Sequence, residues 1–142
     1  MKTRCVIKKY IVLSLVLITL FQLVGCSKMH EKEYYADINN FITEEAIVDN
    51  IIHNEEEEYI VFWLSEIDEA YASSDFIIEG NNADLVLQNG ILDKIEIGDV
   101  ITYTSAPRIL GNGDFMPIIQ ISVSGEELLN LDDGYKNLMS LY

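Results

Sequence analysis

Two stretches of this chain carry side chains able to do chemistry: a cysteine behind a small residue, and a histidine ahead of four carboxylates. Leu23-Val24-Gly25-Cys26 presents a thiol directly after Gly25, and a deprotonated thiol is a nucleophile. His53-Asn54-Glu55-Glu56-Glu57-Glu58 gathers an imidazole and carboxylates, the donors of a divalent-cation site. Ligands on one loop without an internal turn-forming glycine seldom converge, so a solvated loop is expected and no metal ligand is assigned. Asn112-Gly113-Asp114 and Asp132-Asp133-Gly134 lack the alternating acids and closing glutamate of a helix–loop–helix calcium site, and read as turns. No Gly-x-Ser-x-Gly elbow and no glycine-rich phosphate loop ending in lysine occurs. A glycosidase-type acid pair could hide among so many carboxylates, yet none stands out. The chain therefore reads as non-enzymatic, with no catalytic residue.

The thiol gains meaning from what precedes it. Lys2, Arg4, Lys8 and Lys9 form a basic start without acids, and Tyr10 to Val24 is apolar apart from Ser14, Thr19 and Gln22. A secretory leader needs this order of charge, short apolar run and small residue, whereas a spanning helix wants about 20 apolar residues. Leu23-Val24-Gly25-Cys26 resembles the lipobox of bacterial lipoproteins. That resemblance implies a diacylglycerol on the Cys26 thiol and cleavage between Gly25 and Cys26. It places the protein on the extracytoplasmic face of the cell membrane, with acyl chains such as palmitate in the bilayer. The competing reading is an uncleaved signal anchor, with Cys26 an ordinary cysteine.

Removing residues 1–25 leaves 117 of the 142, enough for one modest core, and leaves Cys26 as the only cysteine because Cys5 departs. No internal disulfide can then form, so the domain must stand on packing. All 24 acidic residues stay, against Lys28, Lys32, Lys94, Arg108 and Lys136. Such a body repels nucleic acid and anionic lipid. It suits solvation, a cationic peptide or a cationic envelope protein. The expected role is a binding or accessory module without a cofactor beyond the covalent lipid. The alternative is a divalent-cation-binding or delivery lipoprotein using Glu55–Glu58; a carboxylate hydrolase ranks last.

The positioning elements are mostly strands. Residues 26–42 read as a tether containing His30 and running into a short helix, with Tyr34, Tyr35, Ile38 and Phe41 three or four apart. Residues 43–142 form the domain. Ala46 to Ile52 and Tyr59 to Leu64 are strands joined by the glutamate loop, the second buried on both faces at least in part. Phe76 to Glu79 and Ala83 to Gln88 are short strands, turned by Gly80-Asn81-Asn82 and ended by Asn89-Gly90. Val100 to Thr104 is β-branched except Tyr103, with Pro107 limiting its far end. After a reversal at Gly111-Asn112-Gly113-Asp114, Ile118 to Val123 is a strand with Ile119, Ile121 and Val123 on one face. Ser124 caps a helix carrying Glu126, Glu127, Leu128, Leu129 and Leu131, stopped by Asp132-Asp133-Gly134. Tyr135, Leu138, Met139 and Leu141 follow at helical spacing. Phe62 and Trp63 belong to the core, while Tyr103 and Phe115 could line an exposed barrel face.

The fold class is mainly β with helical ends, a small antiparallel barrel or curled sheet. Ile95-Glu96-Ile97-Gly98-Asp99-Val100-Ile101-Thr102-Tyr103 resembles a segment of OB-like barrels. With Ala106-Pro107 and the Pro117–Val123 strand it is similar to small uncharacterised lipoproteins of Gram-positive bacteria. That likeness covers about Ala46 to Val123 and carries no catalytic residues.

Overall fold

A computed structural model describes residues 31–106 and 115–142. Residues 31–36 are helical (α1), followed by β1 (Ile42–Asn54), β2 (Tyr59–Ser65) and β3 (Asp75–Glu79). Then come α2 (Asn81–Gln88), α3 (Ile91–Lys94), β4 (Val100–Ser105), β5 (Phe115–Val123), β6 (Glu126–Leu129) and α4 (Leu131–Met139). The sheet runs β3-β2-β1-β4-β5-β6 and closes because β5 also pairs with β3. The result is a five-stranded, OB-like barrel with β6 as an appended edge. All its ladders are antiparallel except β3–β5, which is parallel, so the expected antiparallel barrel is in fact mixed.

Closure depends on bulges, each inserting one residue that bends its strand and sharpens its twist. In β1 the register slips between Val48 and Asn50. Residues Ile42 to Ile47 pair with β4, and Ile47 to Asn54 with β2. In β5 Gln120 faces Thr104 while Ile118 faces Ser105, so Ile119 is extra. Ile118, Ile121 and Val123 point into the barrel core with Met116, whereas Ile119 joins a second cluster with Tyr35, Ala106 and Leu138. This corrects the expected single face of Ile119, Ile121 and Val123, since an inserted residue reverses the alternation. A third slip, between Ile121 and Ser122 opposite Leu129 and Glu127, lets both Leu128 and Leu129 be buried.

Two further expectations give way. Asn81–Gln88 is helical rather than a strand, because Ala83 and Val86, three apart, are the residues that plug the barrel core. Glu126–Leu129 is a strand rather than a helix. Ser124 and Gly125 adopt φ of 51° and 82°, the two positive angles that a two-residue hairpin turn requires. Asp132-Asp133-Gly134 opens α4 instead of stopping a helix: the Asn130 side chain accepts from the Asp133 N–H at 2.9 Å, and the acids favour the helix N-terminus.

Other readings hold. The Glu55–Glu58 loop joins β1 to β2 as a hairpin. At the β4 entrance Gly98 has φ of 96°. Its N–H donates to the Val48 carbonyl at 2.8 Å, and the Val48 N–H returns a bond to the Asp99 carbonyl at 3.0 Å. The Gly-Asp pair thereby ties the turn to β1. Pro107 and the 111–114 reversal lie outside the described residues.

The segment before β1 is part of the body. Tyr35 is buried, with ring centroids 5.5 Å from Tyr34, 6.2 Å from Phe41 and 5.5 Å from Tyr142. Phe41 meets Tyr135 edge-on at 5.7 Å, an arrangement that adds to plain area burial. At this same cluster α4 lies so close to β5 that a Cβ on Gly134 would stand 1.8 Å from the Ile119 carbonyl oxygen. Gly→Ala inside a helix ordinarily stabilises by about 0.5–1 kcal/mol. Here the sign reverses: Gly134→Ala should cost about 2–3 kcal/mol through forced displacement of α4, read as a lower urea midpoint.

Candidate functional site

The barrel interior is filled. Ile60, Phe62, Phe76, Ile78, Ile101, Tyr103 and Ile121 are fully buried there, and Phe76 meets Tyr103 edge-on with centroids 5.1 Å apart. Tyr103 is therefore core, not a surface aromatic. Its hydroxyl donates to Glu44 Oε2 at 3.3 Å. Ser105 Oγ donates to the Pro117 carbonyl at 2.8 Å, and Thr104 Oγ1 to Gln120 Oε1 at 2.7 Å. Among the described residues no buried side-chain nitrogen or oxygen lacks a partner. Buried polar groups that are already satisfied offer a ligand little, so any binding chemistry would lie outside the barrel.

The outer face of β1, β2, β3 and the start of β5 has the composition for it. Paired residues of neighbouring strands project to the same side, so the ladders define outward rows. One row crosses four strands: Ile52 opposite Val61, Val61 opposite Ile77, and Ile77 opposite Pro117. Along one side of it stand Trp63, opposite Asn50, and Phe115, opposite Asp75. Along the other stands Tyr59, opposite Asn54 and Glu79. Val61 and Pro117 are buried as a floor, whereas Trp63 (48% exposed), Ile52 (41%) and Phe115 (41%) form the rim. Trp63, expected in the core, lies outside because β2 puts Ile60, Phe62 and Leu64 inward and every alternate residue outward.

The surroundings of this face are acidic. Asp49, exposed on the β1 bulge, accepts from Ser65 Oγ at 2.8 Å. Asp75 and Glu79 border it on β3, and Glu55–Glu58 form the exposed turn at one end. Of the described basic residues, Lys32 is on α1, Lys94 on α3 and Lys136 on α4. Lys94 pairs with Glu126 at 2.6 Å, and Lys32 donates to the Tyr142 carbonyl at 3.3 Å. No described lysine or arginine lies on β1, β2 or β3.

The remaining candidates are dispersed. His53 pairs with Ile60, on the inward side of β1, while Glu55–Glu58 project into solvent. Among the described residues no three of His, Cys, Asp and Glu are placed to hold a metal ion. An open cleft of about 330 Å³ lies between α2 and α4, lined by Asn81, Asp84, Leu85, Asp133, Lys136 and Asn137. Gly25, Cys26 and His30 lie outside the described residues. Among the described residues no helix is long and apolar enough to cross a membrane. The missed surface residues, Ile52 and Trp63, had one sequence signal: an apolar run on both faces of β2 leaves one face needing a partner outside the core.

Two outcomes follow from these placements. Phe62→Ala should cost roughly 3–5 kcal/mol and Trp63→Ser under about 1 kcal/mol in chemical denaturation, although they are adjacent. Burial, and then the Glu44 carboxylate, push the Tyr103 hydroxyl well above its ordinary value of 10.0. The unfolded chain ionises first, so this contribution is present below pH 10 and is lost as pH rises beyond it. Urea titrations at increasing alkalinity should show stability falling, and falling less steeply in Tyr103→Phe.

No family model, curated protein or solved structure matches the chain.

Proposed function

We propose that this chain is a bacterial lipoprotein, held by acylated Cys26 at the extracytoplasmic face of the cell membrane. Its barrel serves there as a non-enzymatic binding or accessory module for a cationic peptide or envelope protein. The observation that carries the reading is the order basic start, apolar run, Gly25, Cys26 at the head of a body whose acids all follow the leader. The filled interior and the acidic, aromatic outer face support binding over catalysis.

The tether is short. Tyr35, clamped against Phe41 and Tyr142, follows Cys26 by nine positions. At ~3.3–3.6 Å per residue the body would stay within about 30 Å of the anchor. A diacylglycerol supplies two chains, each methylene contributing about 0.8 kcal/mol, and two chains hold where one does not. Negative charge on the body keeps it off anionic lipid, so the thioether-linked lipid carries the attachment.

Metabolic labelling with a radioactive fatty acid tests this directly. The wild-type chain should take up label and migrate as the form lacking residues 1–25. Cys26→Ser should take up none and migrate at full length. Absence of label from the wild type, or equal label and size in the variant, contradicts the proposal.

A further inference from the structure

The outward rows of β1, β2, β3 and β5 make a contact surface of definite size. Strands lie ~4.8 Å apart, so four of them span about 14 Å, and three outward rows span a similar length. That accommodates a few residues of an extended segment or one face of a short helix. A tryptophan on such a surface is the residue type that most often dominates protein contacts, and Trp63 flanks a floor of Val61, Ile77 and Pro117 with Ile52 and Phe115 exposed at its rim.

Charge selects the occupant. Asp49, Asp75, Glu79 and Glu55–Glu58 surround the surface, and the described lysines sit on α1, α3 and α4. A second copy of the chain would bring the same acids against these, and like charges across a contact are disfavoured. Nucleic acid and anionic lipid meet the same repulsion. A neutral glycan could stack on Trp63, but it would leave the acids unused. A lysine- or arginine-bearing segment uses both features: its cations answer the carboxylates or lie over the indole face, and its apolar side chains cover the floor.

We infer that the outer face of β1, β2, β3 and the start of β5 docks a basic protein segment that lays apolar side chains between Ile52, Trp63 and Phe115. This rests on the reading of the barrel as a binding module, and not on the lipidation of Cys26.

Trp63 is the only tryptophan of the chain, so it reports its own surface. The full chain in nonionic detergent is titrated with a short synthetic peptide of alternating lysine and leucine. Companion titrations use lysine/serine and glutamate/leucine peptides. The lysine/leucine peptide should shift Trp63 emission to shorter wavelength, with an affinity that falls steeply with salt; the companions should bind at least about tenfold more weakly. By calorimetry Ile52→Ser and Phe115→Ser should each weaken binding about tenfold, while Leu131→Ser, an exposed leucine on α4, should not. Asp75→Asn with Glu79→Gln should weaken it, and Asp93→Asn with Asp132→Asn, an equal charge change elsewhere, should not.

Equal effects of the two acid pairs would show diffuse attraction and overturn the inference. Undiminished binding of the lysine/serine peptide, or salt-independent binding as for a stacked neutral ligand, would do the same. Cys26→Ser should bind the peptide as the lipidated chain does. Absence of label from the wild-type chain with binding intact would contradict only the lipoprotein reading, and loss of binding with wild-type labelling intact would contradict only this one.

Discussion

One strand, β5, pairs with three others, β3, β4 and β6, and the architecture follows from how it joins the first two. Its first residues run parallel to β3 and its remainder antiparallel to β4. A regular strand would carry both pairings along one side chain alternation. The extra residue at Ile119 breaks that alternation, so Met116 and Ile118 stay inside with Ile121 and Val123 while Ile119 turns outward. Closure thereby yields two cores from one strand: the barrel interior, and the aromatic cluster that fixes α1 and α4 on its outside. The proximity of Gly134 to the Ile119 carbonyl shows how closely the second core is drawn in.

The barrel is closed and its interior is filled. Phe76 and Tyr103 meet edge-on inside it, and among the described residues every buried side-chain nitrogen and oxygen has a partner. What remains outside is unequal in character. The face of β1, β2, β3 and the start of β5 combines exposed Ile52, Trp63 and Phe115 with carboxylates, while the described lysines sit on helices α1, α3 and α4. An apolar patch with acids around it would meet like charge in a second copy of itself, which is the ground on which a cationic partner is proposed.

Sequence patterns carried the barrel as far as local chemistry could. The Glu55–Glu58 turn and the β-branched run at Val100–Thr104 were legible because each is decided within a few residues. Bulges were not, since periodicity assumes an unbroken register, and Ile119 looks the same on either side of one. Ser124 belonged to two patterns at once, a capping box with Glu127 and a Ser-Gly turn; pairing of β6 with β5 decided between them. Ala83 to Gln88 was too short for its period to tell helix from strand. Tyr103 and Trp63 exchanged their expected places, because which side of a strand faces inward is set by partners distant in sequence. The candidate surface suffered most, being assembled from four strands.

The central claim is that one outward face, rather than the acidic surface at large, recognises cationic partners. The most direct measurement is residue-resolved nuclear magnetic resonance of the full chain during addition of the lysine/leucine peptide. The account predicts that amide shifts concentrate on β1, β2, β3 and the start of β5, with the Trp63 indole among the largest. Shifts spread equally over the acids of α4 and β6, or centred on the cleft between α2 and α4, would contradict it.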